Sequence, residues 1–312
     1  MEIFRGLENI RQALNNPAIT IGNFDGVHRG HQALFDRVKE WAKRLGGKSV
    51  VMTFDPHPVE VLFPNKNLQF ITSQERKLEL ISASGIDAVI VVPFSREFSR
   101  ISARGFVEDL LVGRIGIKAL VVGHDYRFGY SREGDIVLLK ELGREFGFEV
   151  ETLSGVRLDD TVVSSTVIRQ LILKGEMKRA NRLLGRCYQI DGIVEVGRQR
   201  GGRLLGFPTA NIRMSSQAPP RTGVYIVEVE VNGTRYHGAA NLGYNPTFGD
   251  TDLSLEVHIF DFSRNIYGES IKVWFLDRIR DERRFAGPQE LADQIKLDVA
   301  KAREFFANRK SE

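Results

Sequence analysis

Up to about residue 150, short apolar runs rich in β-branched residues alternate with segments in which apolar residues recur every three or four positions. Continuous apolar runs suit strands buried on both faces of a parallel sheet, and the longer spacing suits helices lying on those faces. The alternation therefore predicts βαβ units, with strands at Ile19 to Ile21, Val50 to Phe54, Ala88 to Val92 and Ala119 to Val122. Between the first two, Leu34, Phe35, Val38, Trp41, Ala42 and Leu45 fall on one stripe of an amphipathic helix. A second helix is expected over Phe106 to Val112, and Ser164 to Leu184 is again helical, broken at Lys174-Gly175.

After Leu184-Gly185-Arg186 strict alternation replaces the continuous runs, which places a domain boundary there and divides the chain into 1–186 and 187–312. Strands are expected at Tyr188 to Val196, Gly223 to Val231, Arg235 to Asn241, Leu253 to Phe260 and Ile271 to Phe275. Asn232-Gly233, between two of them, is the signal of a type I′ hairpin. Several antiparallel strands in succession point to a closed or nearly closed barrel, followed by a terminal helix from Pro288 through Leu291, Ile295, Val299 and Phe305.

The 312 residues, 42% hydrophobic and 27% charged, fit a folded protein of about two domains and exclude a disordered chain. Lys and Arg number 44 against 40 Asp and Glu, a net charge of +4 that favours anionic ligands without calling for nucleic acid. The single cysteine, Cys187, excludes an internal disulfide and a Cys-rich zinc site. The opening MEIFRGLENI lacks a signal-peptide design and no apolar run approaches a membrane span, so a cytoplasmic protein with no membrane partner is expected. Composition leaves the oligomeric state open.

Ligands of a parallel sheet bind beyond the carboxyl ends of its strands. Those ends carry GNFDGVHRGHQ (Gly22 to Gln32), DPHP (Asp55 to Pro58) and GHDYRFG (Gly123 to Gly129), which put His28, His31, His57 and His124 on one rim. In the first string Gly22, Gly26 and Gly30 are read as letting backbone approach a ligand, and the helix that follows presents its N–H groups and positive dipole end. That suits a phosphate chain. His28 and His31, three apart, can face the same side and donate to charge developing on a phosphoryl group; the alternative is a capping or packing role. Ser164-Ser165-Thr166 reads as a helix start with Arg169 one turn in, where hydroxyls, amides and a guanidinium make a second anion site or an ordinary cap. Gly47-Lys48-Ser49 is not a P-loop, since Ala42 stands where glycine is needed, and His28 and His31 have no third ligand at zinc spacing.

In the second half GRQRGGRLLG (Gly197 to Gly206) is a flexible basic loop that leads into Phe207-Pro208-Thr209-Ala210-Asn211. Such a loop can fold over phosphates, with Gly202, Arg203 and Gly206 among its contacts, while Thr209 and Asn211 offer oxygens to magnesium. On the strand Leu253 to Phe260, Leu253, Leu255, Val257 and Ile259 form the core face and leave Ser254, Glu256, His258 and Phe260 on the other. Glu256 is then a solvated glutamate unless a loop covers it, for which Gly197 to Gly206 and Asn241 to Asp250 are the candidates.

Taken together, GNFDGVHRGHQ, TFDPHP, GHDYRFG, VSSTVIR, LLGFPTANI, NLGYNPTF, LEVHIFDF and RDERRF run in the order and spacing of the bacterial bifunctional riboflavin kinase and FAD synthetase family, which the chain resembles over its whole length. The resemblance implies an α/β fold: a Rossmann-like nucleotidylyltransferase domain with a parallel sheet, then an antiparallel riboflavin-kinase β-barrel with a terminal α-helix. It implies riboflavin, FMN and ATP as substrates, with Mg2+. By position, His28, His31 and Arg169 would act on ATP phosphates, with Gly22, Asn23, Phe24, Asp25, Gly30, Ser164, Ser165 and Thr166 around them. Pro56, Pro58, Asp125 and Phe128 would hold the flavin of FMN, Thr209 and Asn211 the metal, and Glu256 would be the kinase base. Tyr126 and Asn245 depart from the family's usual Phe and Arg. Two competing readings are a first domain with another phosphorylated acceptor, and a flavin-binding regulator without turnover.

Overall fold

The computed structural model describes residues 1–8, 10, 14–66, 68–195, 207–215, 217–244 and 253–309. Contacts divide the chain into two compact units, Met1–Leu68 with Ser73–Ser165, and Gln69–Thr72 with Thr166–Glu312.

The first unit runs β1 (Glu2–Arg5), β2 (Ala18–Ile21), α1 (Arg29–Leu45), β3 (Ser49–Phe54), α2 (Pro58–Leu62), α3 (Gln74–Ala83), β4 (Ala88–Val92), α4 (Ala103–Gly105), β5 (Ala119–Gly123), α5 (Ile136–Phe146) and β6 (Glu149–Leu153), with a two-residue hairpin of β7 (Arg157–Leu158) and β8 (Thr161–Val162). Its sheet has the order β1-β4-β3-β2-β5-β6 and every neighbouring pair is parallel. The four expected strands occupy the interior of the sheet. The edge strands β1 and β6 were not expected, because Glu2, Arg5, Glu149 and Glu151 break the continuous apolar run that a strand covered on both faces requires.

One face of the sheet is covered by α1, whose Val38 and Ala42 pack with Ala18, Ala119 and Val121, and whose Phe35 packs with Phe24, Val51 and Val89. Ile19, Ile21, Val50, Met52, Ile90 and Leu120 face the other side, against Leu139 and Leu142 of α5. The helix expected at Phe106 to Val112 also lies there, but α4 continues through Phe106–Ile115 as a π-helix. Its buried Phe106 and Leu111, like Leu110 and Ile115, are five residues apart, and the N–H of Gly116 (φ 71°) reaches back to Leu111 O.

In the second unit β9 (Tyr188–Glu195), β10 (Ala210–Met214), β11 (Gly223–Val231), β12 (Thr234–Tyr244), β13 (Leu253–Ile259) and β14 (Ser270–Arg280) close into a barrel of order β10-β13-β12-β11-β14-β9, antiparallel throughout. Asn232 (φ 49°) and Gly233 (φ 77°) make the expected turn with positive φ at both positions. β10 was not among the expected strands, since Pro208 precedes it and Ile212 is its only buried residue. Leu255, Val257, Val227 and Phe275 fill the interior. The outer surface carries α8 (Pro288–Arg309), whose Ala302 and Phe306 pack with Ile226, Ala239, Trp274 and Phe260. Phe260 is thus buried, not on a solvated face, since α8 covers it.

The pair α6 (Ser165–Lys174) and α7 (Met177–Leu184) breaks where expected, at Gly175 (φ 75°). The contact division falls after Ser165, the first residue of α6, and α7 is clipped to the barrel: Asn181 Nδ2 donates to Phe275 O at 2.9 Å, and Asn181 Oδ1 accepts from Tyr188 N at 2.7 Å. Gln69–Thr72 joins the same unit by a parallel bridge from Phe70 to Gln217.

Replacing Phe35, which is fully buried, by Ala is expected to destabilise the first unit by about 3 to 5 kcal/mol. Urea unfolding checks it, and a loss below about 1 kcal/mol would contradict the packing described.

Candidate active sites

The strand order reverses at β2: β3 and β4 are added on one side of it and β5 on the other. The segments that follow β2 and β5 flank the crevice this leaves, the usual ligand site of such sheets. They are Gly22 to Gln32 and Gly123 to Gly129, and Asp55 to Pro58 follows the neighbouring β3.

His28 is the N-cap of α1, and its Nδ1 accepts from His31 N at 3.3 Å. The two imidazoles stack with centroids 3.5 Å apart and planes 18° apart, so they present themselves as one unit. Phe24, only 2% exposed, meets the edge of His31 at 5.1 Å and Phe35 at 5.1 Å. It belongs to the core and props the histidine from below. A Cβ on Gly22 would lie 3.0 Å from Phe24, and one on Gly30 3.1 Å from His28. The small size of both glycines is thus required by the loop's own rings, and only Gly26 (φ 84°) is required by backbone conformation.

Ser165 Oγ donates to the main-chain oxygen of Asp25 at 2.8 Å and so ties the second hydroxyl string to the first loop. Ser164 is half-buried and Thr166 exposed. Arg169 belongs to the second unit, where its Nε donates to Gln69 O at 2.7 Å. Asn23 turns its carbonyl inward, where it accepts from Thr53 Oγ1 and from Lys77 Nζ, each at 3.3 Å. Lys77 is buried, and that desolvation pushes its amine down to about 8 against the opposing field of Asp25, Asp55 and Glu60. Sequence reading missed it because a single Lys within a helical segment carries no signal of burial.

At the same rim, Pro56 follows Asp55 through a cis peptide bond and Pro58 opens α2, which His57 caps by accepting from Val59 N at 3.1 Å. Asp125 is exposed, and Phe128 is buried beneath Tyr126, the rings stacked at 5.7 Å. Phe54, Phe94 and Phe98 extend this aromatic array at 5.6 and 5.7 Å. They too were missed, although Phe54 ends β3 and Phe94 closely follows β4, the positions where a ligand-facing ring belongs.

In the barrel, Asn211 of β10 lies directly opposite Glu256 of β13, and Asn241 of β12 lies opposite Glu256 from the other side. Opposed residues share a face, so the three polar side chains form one row on the outer surface. Thr209, Asn241, Glu256 and His258 line a cavity of about 240 Å3, with Leu291 and Ile295 of α8 across from them. Helix α8 therefore covers Glu256 on this side; of the loops expected to cover it, Gly197 to Gly206 and residues 245–250 lie outside the described residues. Burial raises the Glu256 carboxyl above the usual carboxylate range. His258 Nδ1 lies 2.9 Å from Pro208 O, and its ring meets Phe207 edge-on at 5.4 Å, which holds the turn carrying Thr209. Gly202, Arg203, Gly206 and Asn245 lie outside the described residues.

Asp298, 3% exposed, also lines the cavity and is held by Arg280 through Nε at 3.0 Å and Nη2 at 2.8 Å, and by Gln294 Nε2 at 2.9 Å. Arg280→Met would strand this carboxylate, and a loss of about 3 to 5 kcal/mol in the stability of the barrel unit is expected. Thermal unfolding checks this, and an unchanged transition would show that the pair carries no net stabilisation.

The FAD synthetase family matches residues 10–167 and the riboflavin kinase family residues 184–306. Bifunctional riboflavin kinase/FMN adenylyltransferases of Escherichia coli K12 and Haemophilus influenzae are each 40% identical over 308 residues, 98% of this chain and 98% and 99% of theirs. A crystal structure described as a macrolide-efflux protein from Streptococcus pneumoniae superposes with a TM-score of 0.88 at 33% identity, covering 97% of this chain and 99% of that one. Among the described residues no helix is long and apolar enough to cross a membrane.

Proposed function

The chain belongs to the family of bifunctional riboflavin kinase/FMN adenylyltransferases, and it phosphorylates riboflavin to FMN and adenylylates FMN to FAD; from that premise we propose which of its residues carry each step. The first domain, 1–186, adenylylates and the second, 187–312, phosphorylates, with ATP as donor in both and a cytoplasmic location.

The kinase nucleophile is a neutral ribityl hydroxyl, so a carboxylate placed to take its proton is useful. Glu256 is that base, and the observation that carries the assignment is its half-buried position in the cavity beside Thr209 and opposite Asn211. Desolvation makes the carboxylate a stronger base than one in water. The donor set also suits Mg2+, a hard cation that takes oxygen ligands: Thr209 and Asn211 would hold it and substrate phosphates would complete its shell. Among the described residues no cluster of three or more His, Cys, Asp or Glu offers a different kind of site. When bound, the ion neutralises charge on the transferring phosphoryl group. Gly202, Arg203 and Gly206, outside the described residues, are assigned to the ATP phosphates by the sequence motif alone.

In adenylyl transfer the nucleophile is the FMN phosphate, whose second pKa of about 6 leaves it ionised at neutral pH, so no base is required. The site needs orientation and positive charge. The stacked His28 and His31, Arg169 and the amino end of α1 supply the charge, and Gly22, Asn23, Asp25, Gly30, Ser164, Ser165 and Thr166 shape the loops around ATP. Phe24 contributes by supporting His31. Pro56, Pro58 and Asp125 hold the flavin, and Phe128 contributes from beneath Tyr126.

Chromatography of riboflavin, FMN and FAD formed over time with ATP and Mg2+ tests the reading. Glu256→Gln is expected to slow FMN formation by about 100- to 10,000-fold while FAD still forms from added FMN. His31→Ala is expected to slow FAD formation by about 100- to 1,000-fold and spare FMN formation. Loss of both activities in a folded variant would refute the division. Riboflavin phosphorylation in the unaltered enzyme is expected to fall as pH drops, because the base must be deprotonated, with its midpoint above the ordinary carboxylate range.

A further inference from the structure

Lys77 stands outside the roles assigned above. It lies on the inner side of α3 with Leu78 and Ile81, and only 6% of it is exposed. A lysine is rarely buried without a partner, because its ammonium takes three donors and a full charge out of water. Here the bond to Asn23 O is long for an ammonium, and no ion pair among the described residues neutralises the charge. Asp25 in the loop after β2, Asp55 in the loop after β3 and Glu60 on α2 are the charged groups acting on it, and all three favour its cationic form. The same three carboxylates would repel an incoming phosphate. A cation fixed among them, held by the loop that carries His28, offsets part of that repulsion and retains donors for an anion.

We propose that Lys77 is a phosphate-binding residue of the adenylyl-transfer site, its ammonium shared between the Asn23 carbonyl and a phosphate oxygen of a bound substrate. The proposal rests on the adenylyltransferase reading. The phosphate belongs either to FMN or to ATP, and kinetics separate the two.

In the full-length enzyme, Lys77→Gln is expected to raise KM about 10- to 100-fold for the substrate whose phosphate it contacts, and not for the other. A rise for FMN alone assigns the acceptor phosphate, and a rise for ATP alone assigns the donor. The protonated amine is the competent form, so kcat/KM for that substrate falls in the unaltered enzyme as pH rises through about 8. Lys77→Gln removes this alkaline limb and Lys77→Arg moves it upward while restoring part of the affinity, which a residue that only holds Asn23 in place would not do. Both KM values within twofold of the unaltered enzyme and an unchanged alkaline limb overturn the proposal. Should Lys77→Gln lose the unfolding transition of its first unit, Lys77→Arg decides by the same two readouts. Failure of the unaltered enzyme to make FAD from FMN and ATP would instead refute the adenylyltransferase reading and leave riboflavin phosphorylation to be judged separately.

Discussion

In a sheet whose strands all run the same way, each strand must be reached by a crossover, and the crossovers leave an open crevice only where they change side. Here that place is β2, flanked by β3 and β5. The position of the first site follows from it. The loops after β2 and β5 are brought to one rim, α1 begins there, and its capping residue is His28 rather than a serine or aspartate. The cap fixes His28 at the start of α1, and Phe24, itself packed on Phe35, supports its partner His31 from the core.

The barrel solves a different problem. Antiparallel closure pairs residues directly, so the row of Asn211, Glu256 and Asn241 is set by register and needs no loop to assemble it. The row faces outward, where a carboxylate would ordinarily be solvated. Helix α8, packed across the outer surface through Ala302 and Phe306, changes its surroundings, and burial raises the Glu256 carboxyl above the usual range. The same helix brings Asp298 to the cavity, and Arg280 neutralises it there.

The two units thus place charge in low dielectric by different means. Asp298 has a bidentate partner and contributes to a fixed wall. Among the described residues Lys77 and Glu256 have no such partner, and their pKa values move toward neutrality from opposite directions. Groups in that state respond to ligands and protons, which suits binding and catalysis.

Much of this was legible along the chain. Continuous apolar runs located the four interior strands, alternation located five of the barrel strands, and Asn232-Gly233 located the hairpin, because burial on two faces, burial on one face and positive φ each select residue types locally. The motif strings singled out His28, His31, Thr209, Asn211 and Glu256 as candidates, because chemistry constrains side chains at short spacing. What only the tertiary structure decided depends on partners distant in sequence. The edge strands β1 and β6 exist because β4 and β5 pair with them. Burial of Lys77, the aromatic array from Phe54 to Phe98, and the cover that α8 provides for Glu256 arise from packing between separate elements, and no local pattern encodes which surface a side chain will meet.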